Sequence, residues 1–383
     1  MHTILGMAIL IFILVLLFLC YAVLILYYKA GWNHLDEFVL NKQYVPKTKV
    51  SIIIPARNEE LNIDHLLNDI LSQYYPTDLM EIIVVDDHST DRTPDIVQSF
   101  LGVKYIDLSI HTGTQILNSY KKKAIETAIL QSNGELIITT DADCRMSPYW
   151  LLSLVSYYEI YRYKLIAAPV DFTCDQSLFQ LFQSLDFMTM QGITGAVAYT
   201  HSGTMCNGAN LAYTRQAYDT VGGFKGIDHI ASGDDMLLMY KIEQRFPKKT
   251  NYLKCKEAIV KTSPMADSKA FFNQRIRWAS KATHFKDKRI IIVLGLVYFY
   301  NLSFILLTLL CFYKPALLFV LLTALIAKTI LELSLMIPVS QFFNKEKELV
   351  RFPILQCFHI PYVVLSGLLG QFGTYQWKER NVK

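Results

Sequence analysis

The chain has no Cys-x-x-Cys pair, no heptads, no internal repeat and no low-complexity tract. Its 7 cysteines (Cys20, Cys144, Cys174, Cys206, Cys255, Cys311 and Cys357) are widely spaced and odd in number. That argues against a disulfide framework or a zinc site and points to a reduced, cytosol-facing setting. Charge of one sign is also scarce, with 37 Lys and Arg against 33 Asp and Glu leaving a net +4. No dense basic tract with interleaved aromatics is present, so nucleic acid is not an expected partner. The mild excess suits anionic phosphates or lipid headgroups. Before the first apolar run His2 is the only possible positive side chain. A secretory signal needs a basic start, a shorter apolar stretch and a small-residue cleavage site, so this run reads as a membrane anchor.

Apolar residues are abundant, at 52% with a mean hydropathy of +0.26, and they concentrate at the two ends. Residues 4–28 form an uncharged run long enough to cross a bilayer as a helix, closed by Tyr27, Tyr28 and Lys29 as an interfacial anchor. Lys29, Lys42, Lys47 and Lys49 follow, and the positive-inside rule places the middle of the chain in the cytoplasm. Residues 290–312 and 316–337 are two further spans around the turn Tyr313, Lys314 and Pro315. Lys286, Lys288 and Arg289 precede this hairpin, and Lys345, Lys347 and Arg351 follow it. Residues 352–372 contain Pro353, His359 and Pro361 and precede a basic tail at 378–383. A full span puts that tail outside; a re-entrant or interfacial segment, the preferred reading, keeps it inside.

The middle alternates strands and helices. Buried strands are expected at 50–55, 81–85 and 135–140, with helices at 59–73, 94–100 and 121–130. Continuous apolar strands in such alternation imply an α/β domain with a parallel sheet covered on both faces. Ligands then bind beyond the carboxyl ends of the strands.

Acidic residues stand at those ends. Asp86 and Asp87 follow the second strand, and Asp141 and Asp143 follow the third as Asp-Ala-Asp. Two such carboxylates can share one hard cation that also grips phosphates, and a departing nucleoside diphosphate needs that charge. The blander reading is that aspartates cap helices and favour turns. Two acidic strand ends in one alternating domain weigh against it. Lys121, Lys122 and Lys123 open a helix against its dipole, which favours a phosphate or donor contact for at least one of them. Asp234 and Asp235 precede an apolar helical start; one can cap it while its neighbour acts as a general base. Gln274, Arg275, Arg277 and Trp278 lie on an amphipathic helix just before the membrane, which alone reads as an interfacial basic helix with a Trp anchor.

In this order the motifs resemble the family 2 inverting glycosyltransferases of GT-A fold, in the membrane-bound branch with cellulose and hyaluronan synthases. The ordered set is the 54–59 run ending Ala56, Arg57, Asn58, Glu59; the 84–91 run around Asp86 and Asp87; Lys121; Asp141 and Asp143; Gly208, Ala209 and Asn210; Gly222, Gly223 and Phe224; Gly233, Asp234 and Asp235; and Gln274, Arg277 and Trp278. The resemblance covers residues 50–278. It implies an α/β GT-A domain at 48–265, after a transmembrane helix at 1–30. An interfacial helix at 266–288 and a membrane region at 289–383, with two or three apolar segments, would follow.

By the same resemblance Ala56, Glu59, Asp87 and Asp86 lie near the nucleotide, and Lys121 contacts the donor. Asp141 contacts the diphosphate or ribose, and Asp143 the metal, Mg2+ or Mn2+. Asp235 is the base with Asp234 alongside, while Gln274, Arg277 and Trp278 close over the diphosphate and line the acceptor entrance. Two departures stand out: His88 replaces the usual glycine, and the membrane segments are fewer than polymer-secreting synthases carry. The expected partners are a nucleotide sugar, a lipid or lipid-linked glycan acceptor and the membrane. The alternatives are a processive polysaccharide synthase, a non-catalytic membrane sugar-binding protein and a soluble nucleotidyltransferase; the membrane ends and the Gln274 to Trp278 helix do not fit the last.

Overall fold

The computed structural model describes residues 2–113, 118–174, 177–280, 288–372, 375–377 and 380–382. Lys286, Lys378 and Lys383 lie outside them. The helices are α1 (His2–His34), α2 (Ile63–Leu71), α3 (Thr93–Gln98), α4 (Leu108–Thr112), α5 (Tyr120–Leu130), α6 (Trp150–Tyr161) and α7 (Leu178–Thr200). They continue with α8 (Arg215–Thr220), α9 (Met236–Arg245), α10 (Ser268–Ser280), α11 (Lys288–Cys311), α12 (Leu317–Phe343) and α13 (Phe352–Phe372). The strands are β1 (Val50–Ala56), β2 (Met80–Asp86), β3 (Val103–Asp107), β4 (Leu136–Thr139) and β5 (Arg145–Met146). After them come β6 (Leu165–Ala167), β7 (Val170–Phe172), β8 (Leu211–Thr214), β9 (Thr250–Tyr252) and β10 (Val260–Thr262). Two compact units result, one of residues 35–175, 197–264 and 376–383, the other of 1–34, 176–196 and 265–375. Residues 176–196, which the sequence boundaries put in the middle domain, group with the helical unit.

The first unit is the α/β domain that strand–helix alternation implies. Its seven-stranded sheet runs β3-β2-β1-β4-β8-β6-β9. Strands β3, β2, β1 and β4 are mutually parallel, and β8 inverts between β4 and β6. Ile52, Ile53 and Ile54 have no exposed surface, as a strand covered on both faces requires. Helix α2 buries Ile63, Leu66, Leu67 and Ile70, the i, i+3, i+4, i+7 stripe of an amphipathic helix. Parallel registry aligns Ala56 with Asp86 and Asp86 with Asp107. The antiparallel pair Thr139 and Leu211 sets Gly208–Asn210, just before β8, beside the end of β4. A second sheet, β5-β10-β7, carries Thr262 at the end of β10.

Among the described residues the helical unit contains four helices long and apolar enough to cross a membrane, over Ile9–His34, Lys288–Cys311, Leu317–Phe343 and Glu346–Gln371. The last includes α13, continuous despite Pro361 inside it. Phe12, Val23, Phe319, Ile330 and Phe358 are all exposed, leaving apolar outer faces. Helices α1 and α7 pass so closely that a Cβ on Gly31 would stand 3.0 Å from the Cβ of Ala196, an approach that two small residues allow. Midway along α12 the buried pair Lys328 and Glu332 is completed by Tyr21 of α1, which donates to Glu332 Oε1 at 2.5 Å, and by Gln356 of α13, 3.1 Å from Lys328 Nζ. Charges within apolar helices persist when partnered in this way.

Candidate active site

The loops after β1 and β2 are laced together. Arg57 Nη1 donates to the carbonyls of Asp87 and His88, both at 2.9 Å. Asn58 Oδ1 accepts the Thr90 N–H at 2.8 Å, and the Glu59 N–H donates to Thr93 Oγ1 at 2.8 Å. Asp91 accepts the N–H groups of Glu60 and Thr93, both at 3.0 Å, so its carboxylate shapes the turn. His88 takes a left-handed φ of +58°, which glycine would adopt without strain. Its Nδ1 lies 2.9 Å from Asp87 Oδ1, and its ring sits edge-on to Tyr120 at 5.6 Å.

Ala56 and Asp86 are buried at the strand ends. Asp86 Oδ2 accepts the Ser89 N–H at 3.2 Å, whereas its buried Oδ1 has no hydrogen-bond partner among the described residues. Burial pushes this carboxyl above the usual range, with Asp107 and Asp87 adding to the push and the Ser89 hydrogen bonds opposing it.

A lysine joins the next two acidic motifs. Lys121 Nζ stands 2.6 Å from Asp141 Oδ1 and 3.3 Å from Asp234 Oδ2. Burial disfavours the ammonium, but Asp141 and Asp234 outweigh it and hold its pKa above the ordinary lysine value. Gly208 closes the group: a Cβ there would come within 3.0 Å of Asp234 Oδ2 and 3.4 Å of Lys121 Nζ. Asn210, by contrast, is a scaffold residue, fully buried between Trp150 Nε1 and the carbonyls of Pro169 and Ala258. The helix cap that the sequence leaves open between two acids falls on Asp235, whose Oδ1 accepts the Met236 N–H at 2.7 Å; the expected division, one acid capping and its neighbour serving as base, therefore does not match the resemblance, which puts the base on the capping acid itself. The lysine triplet divides its work. Lys121 meets the acids, Lys122 meets backbone carbonyls, and Lys123 pairs with Glu126 at 2.8 Å.

Asp143 Oδ2 accepts the Thr262 hydroxyl at 3.0 Å. Burial raises the Asp143 pKa from 3.8 to about 6, with Asp141 and Glu59 adding to the shift and Thr262 opposing it. Carboxylates crowded until one resists ionising have surplus negative charge, and hard oxygen donors fit Mg2+ or Mn2+. Among the described residues no three His, Cys, Asp or Glu side chains form a ready cage. The residues therefore fit an ion that takes one or two carboxylates and completes its shell with substrate phosphates and water.

Gln274, Arg277 and Trp278 are half-buried on α10 of the helical unit. Arg275 of the same helix is buried; its Nη2 lies 2.8 Å from Asp186 Oδ2 and its guanidinium stacks 4.2 Å from the Trp278 ring centre. Sequence reasoning gives no role to Arg57, Thr262 or Arg275. Their partners are remote in the chain, and no spacing rule announces them. Lys122 is visible only as one of three lysines.

Residues 51–222 match the glycosyl transferase family 2. YdaM of Bacillus subtilis, described as a probable glycosyltransferase, is 28% identical over 310 residues, covering 72% of this chain and 69% of its own. A beta-monoglucosyldiacylglycerol synthase of Synechocystis sp. is 29% identical over 187 residues, 47% of this chain and 38% of the synthase. Mannosyltransferase PcManGT from Pyrobaculum calidifontis, solved in complex with GDP-Man and Mn2+, superposes with a TM-score of 0.59 at 18% identity. That match covers 95% of this chain and 98% of PcManGT. The α/β unit has the GT-A, Rossmann-like fold.

Proposed function

We propose that this chain, whose residues 51–222 match the glycosyl transferase family 2, is a glycosyltransferase that moves a sugar from a UDP-linked donor to a hydroxyl of a membrane lipid or lipid-linked glycan, inverting the anomeric centre. The observation that carries this reading is the Lys121 bridge between Asp141 and Asp234. It brings the acid motif read as donor-binding and the one read as catalytic to a single point.

In this account Ala56, Glu59, Asp86 and Asp87 receive the nucleotide. The buried, unpartnered Asp86 Oδ1 is an acceptor waiting for a ligand N–H, since an orphaned buried oxygen costs about 1–3 kcal/mol. Lys121 reaches the donor diphosphate, and Asp141 orients the ribose or diphosphate. Asp143, with Asp141 beside it, would hold Mg2+ or Mn2+, which supplies positive charge to the leaving group. Asp235 takes the proton of the acceptor hydroxyl, whose oxygen bonds to the anomeric carbon as the bond to the diphosphate breaks and its electron pair leaves with the phosphate. Asp234, held by Lys121, keeps that acid in place. Gln274, Arg277 and Trp278 are assigned to the diphosphate and acceptor on the strength of their motif, since a guanidinium suits phosphate and an indole face suits a sugar.

The apolar helices and the glycolipid-forming Synechocystis relative support a lipid acceptor. Lys29, Lys42, Lys47 and Lys49 after α1 support a cytoplasmic catalytic unit in a cell-membrane protein. Kinship with the cellulose and hyaluronan synthase branch belongs to the same proposal. The test is a donor screen by nucleotide release from metal-supplemented membranes, followed by mass analysis of extracted lipids. One added sugar per acceptor supports the reading. A ladder of lengths points to a processive synthase instead, and no release with any donor overturns both.

A further inference from the structure

Lys122 is 2% exposed, and its ammonium lies 2.9 Å from the carbonyl oxygen of Ile227, 2.5 Å from that of Ile230 and 2.7 Å from that of Ser232. An ammonium has three N–H donors and no acceptor, so three carbonyls of one loop match its full donor set. A cation in the first turn of a helix opposes the helix dipole, and burying it costs more still unless it is hydrogen-bonded. The three loop carbonyls therefore offset the cost of burying the Lys122 charge. The start of the same loop is tied by a second lysine, Lys241 of α9, which donates to the carbonyls of Gly223 at 2.5 Å and Lys225 at 2.8 Å.

The held segment leads directly into the acid pair. Gly233 follows Ser232 with a φ of +82°, and a Cβ there would stand 2.9 Å from Leu237 Cδ1. Asp234 and Asp235 come next. Lys122 thus fixes the backbone just before the pair, while its neighbour Lys121 takes the Asp234 carboxylate at 3.3 Å. Adjacent lysines on one helix position the backbone and the side chain of a single motif.

We propose that Lys122 is a positioning residue for Asp234 and Asp235, acting through the three carbonyls of the 227–232 loop. This rests on the reading of Asp235 as the base. It sets the rate of transfer and leaves donor affinity largely alone, because the loop is tied to the acids and not to the Asp86 and Asp87 end of the sheet.

The test compares the full-length protein with Lys122→Met and Lys122→Ala in detergent, reading nucleotide release with metal and amide hydrogen exchange. Lys122→Met should exchange faster over residues 227–235 while β1 and β2 stay protected. Its kcat should fall by on the order of tenfold to a hundredfold, the cost of a small misplacement, with donor KM nearly unchanged. Ethylammonium chloride, but not sodium chloride, should restore part of the rate to Lys122→Ala by refilling the carbonyl cradle. If β1 and β2 lose protection in Lys122→Met, rescue of Lys122→Ala decides, and its absence overturns the proposal. Unchanged loop exchange overturns the anchoring. A loosened loop with wild-type kcat overturns the link to the acids. Wild-type protein that releases no nucleotide from any donor removes the functional reading instead, and the exchange comparison still stands or falls by itself.

Discussion

The Thr262 hydroxyl donates a 3.0 Å hydrogen bond to Asp143 Oδ2, tying the end of β10 to the acidic turn after β4. That bond opposes the burial and the Asp141 and Glu59 charges that raise the Asp143 pKa. Thr262→Val keeps the shape and removes the donor. A hydrogen bond to a charged group is worth about 1.5–3 kcal/mol, so the Asp143 pKa should climb further in the variant. Near pH 6.5 Mn2+ affinity should drop by roughly tenfold, since 1.4 kcal/mol is one decade. Titrating Mn2+ dependence at two pH values checks this, with the gap to wild type narrowing at higher pH.

Metal affinity should depend on pH through the same carboxylate. A protonated Asp143 cannot ligate, so affinity is full above about 6 and falls about tenfold per pH unit below it, as for any ligand that must lose a proton. An ordinary aspartate would hold its affinity down to its usual 3.8. The linkage to stability has the opposite sign in the metal-free protein. Deprotonation is unfavourable in the fold, so stability declines as pH rises from 3.8 through about 6. The thermal shift produced by Mn2+ should therefore grow between pH 5 and pH 7, which calorimetry can follow.

Removing the Lys121 charge should damage catalysis more than folding. Lys121→Met leaves Asp141 and Asp234 close together without the ammonium at 2.6 and 3.3 Å. It also takes one cation from the place assigned to the diphosphate. Loss of one preorganised electrostatic partner costs about a hundredfold or more in kcat. Lys121→Arg should recover only part, because a planar fork does not replace a point charge. Steady-state nucleotide release with and without acceptor measures both variants.

Gly208→Ala adds a Cβ 3.0 Å from Asp234 Oδ2 and 3.4 Å from Lys121 Nζ. The acid or the lysine must give way, so turnover should fall by roughly tenfold, equivalent to about 1.4 kcal/mol of barrier, with an unchanged far-UV spectrum. Introducing Gly208→Ala into Lys121→Met should produce little further loss, since both changes act on one contact.

Much of the sheet is legible in the sequence because parallel strands buried on both faces read as unbroken apolar runs. Strands β1, β2 and β4 lie within a residue or two of their expected places. Helix starts are less legible. Helix α2 begins at Ile63 and not near Glu59 because the N–H groups of Glu59 and Glu60 bond Thr93 and Asp91, and Leu61 is 80% exposed as a result. Helix α7 has no single apolar stripe, since Gln183, Ser184, Gln191 and Thr194 are buried alongside Leu181 and Leu185. The acids themselves are legible from their places at strand ends. What they bind is not, because Lys121 to Asp234 and Thr262 to Asp143 are contacts made by topology, and periodicity carries no trace of them.

The central claim is that Asp235 works as the base of a sugar transfer to a membrane acceptor. Its most direct test is mass analysis of lipid extracts after incubating wild-type and Asp235→Asn membranes with UDP-sugars and Mn2+, with donor binding measured in parallel. The account predicts a sugar-extended lipid from the wild type and none from the variant, with donor affinity within about threefold, less than 1 kcal/mol. Near-normal product formation by Asp235→Asn would contradict it.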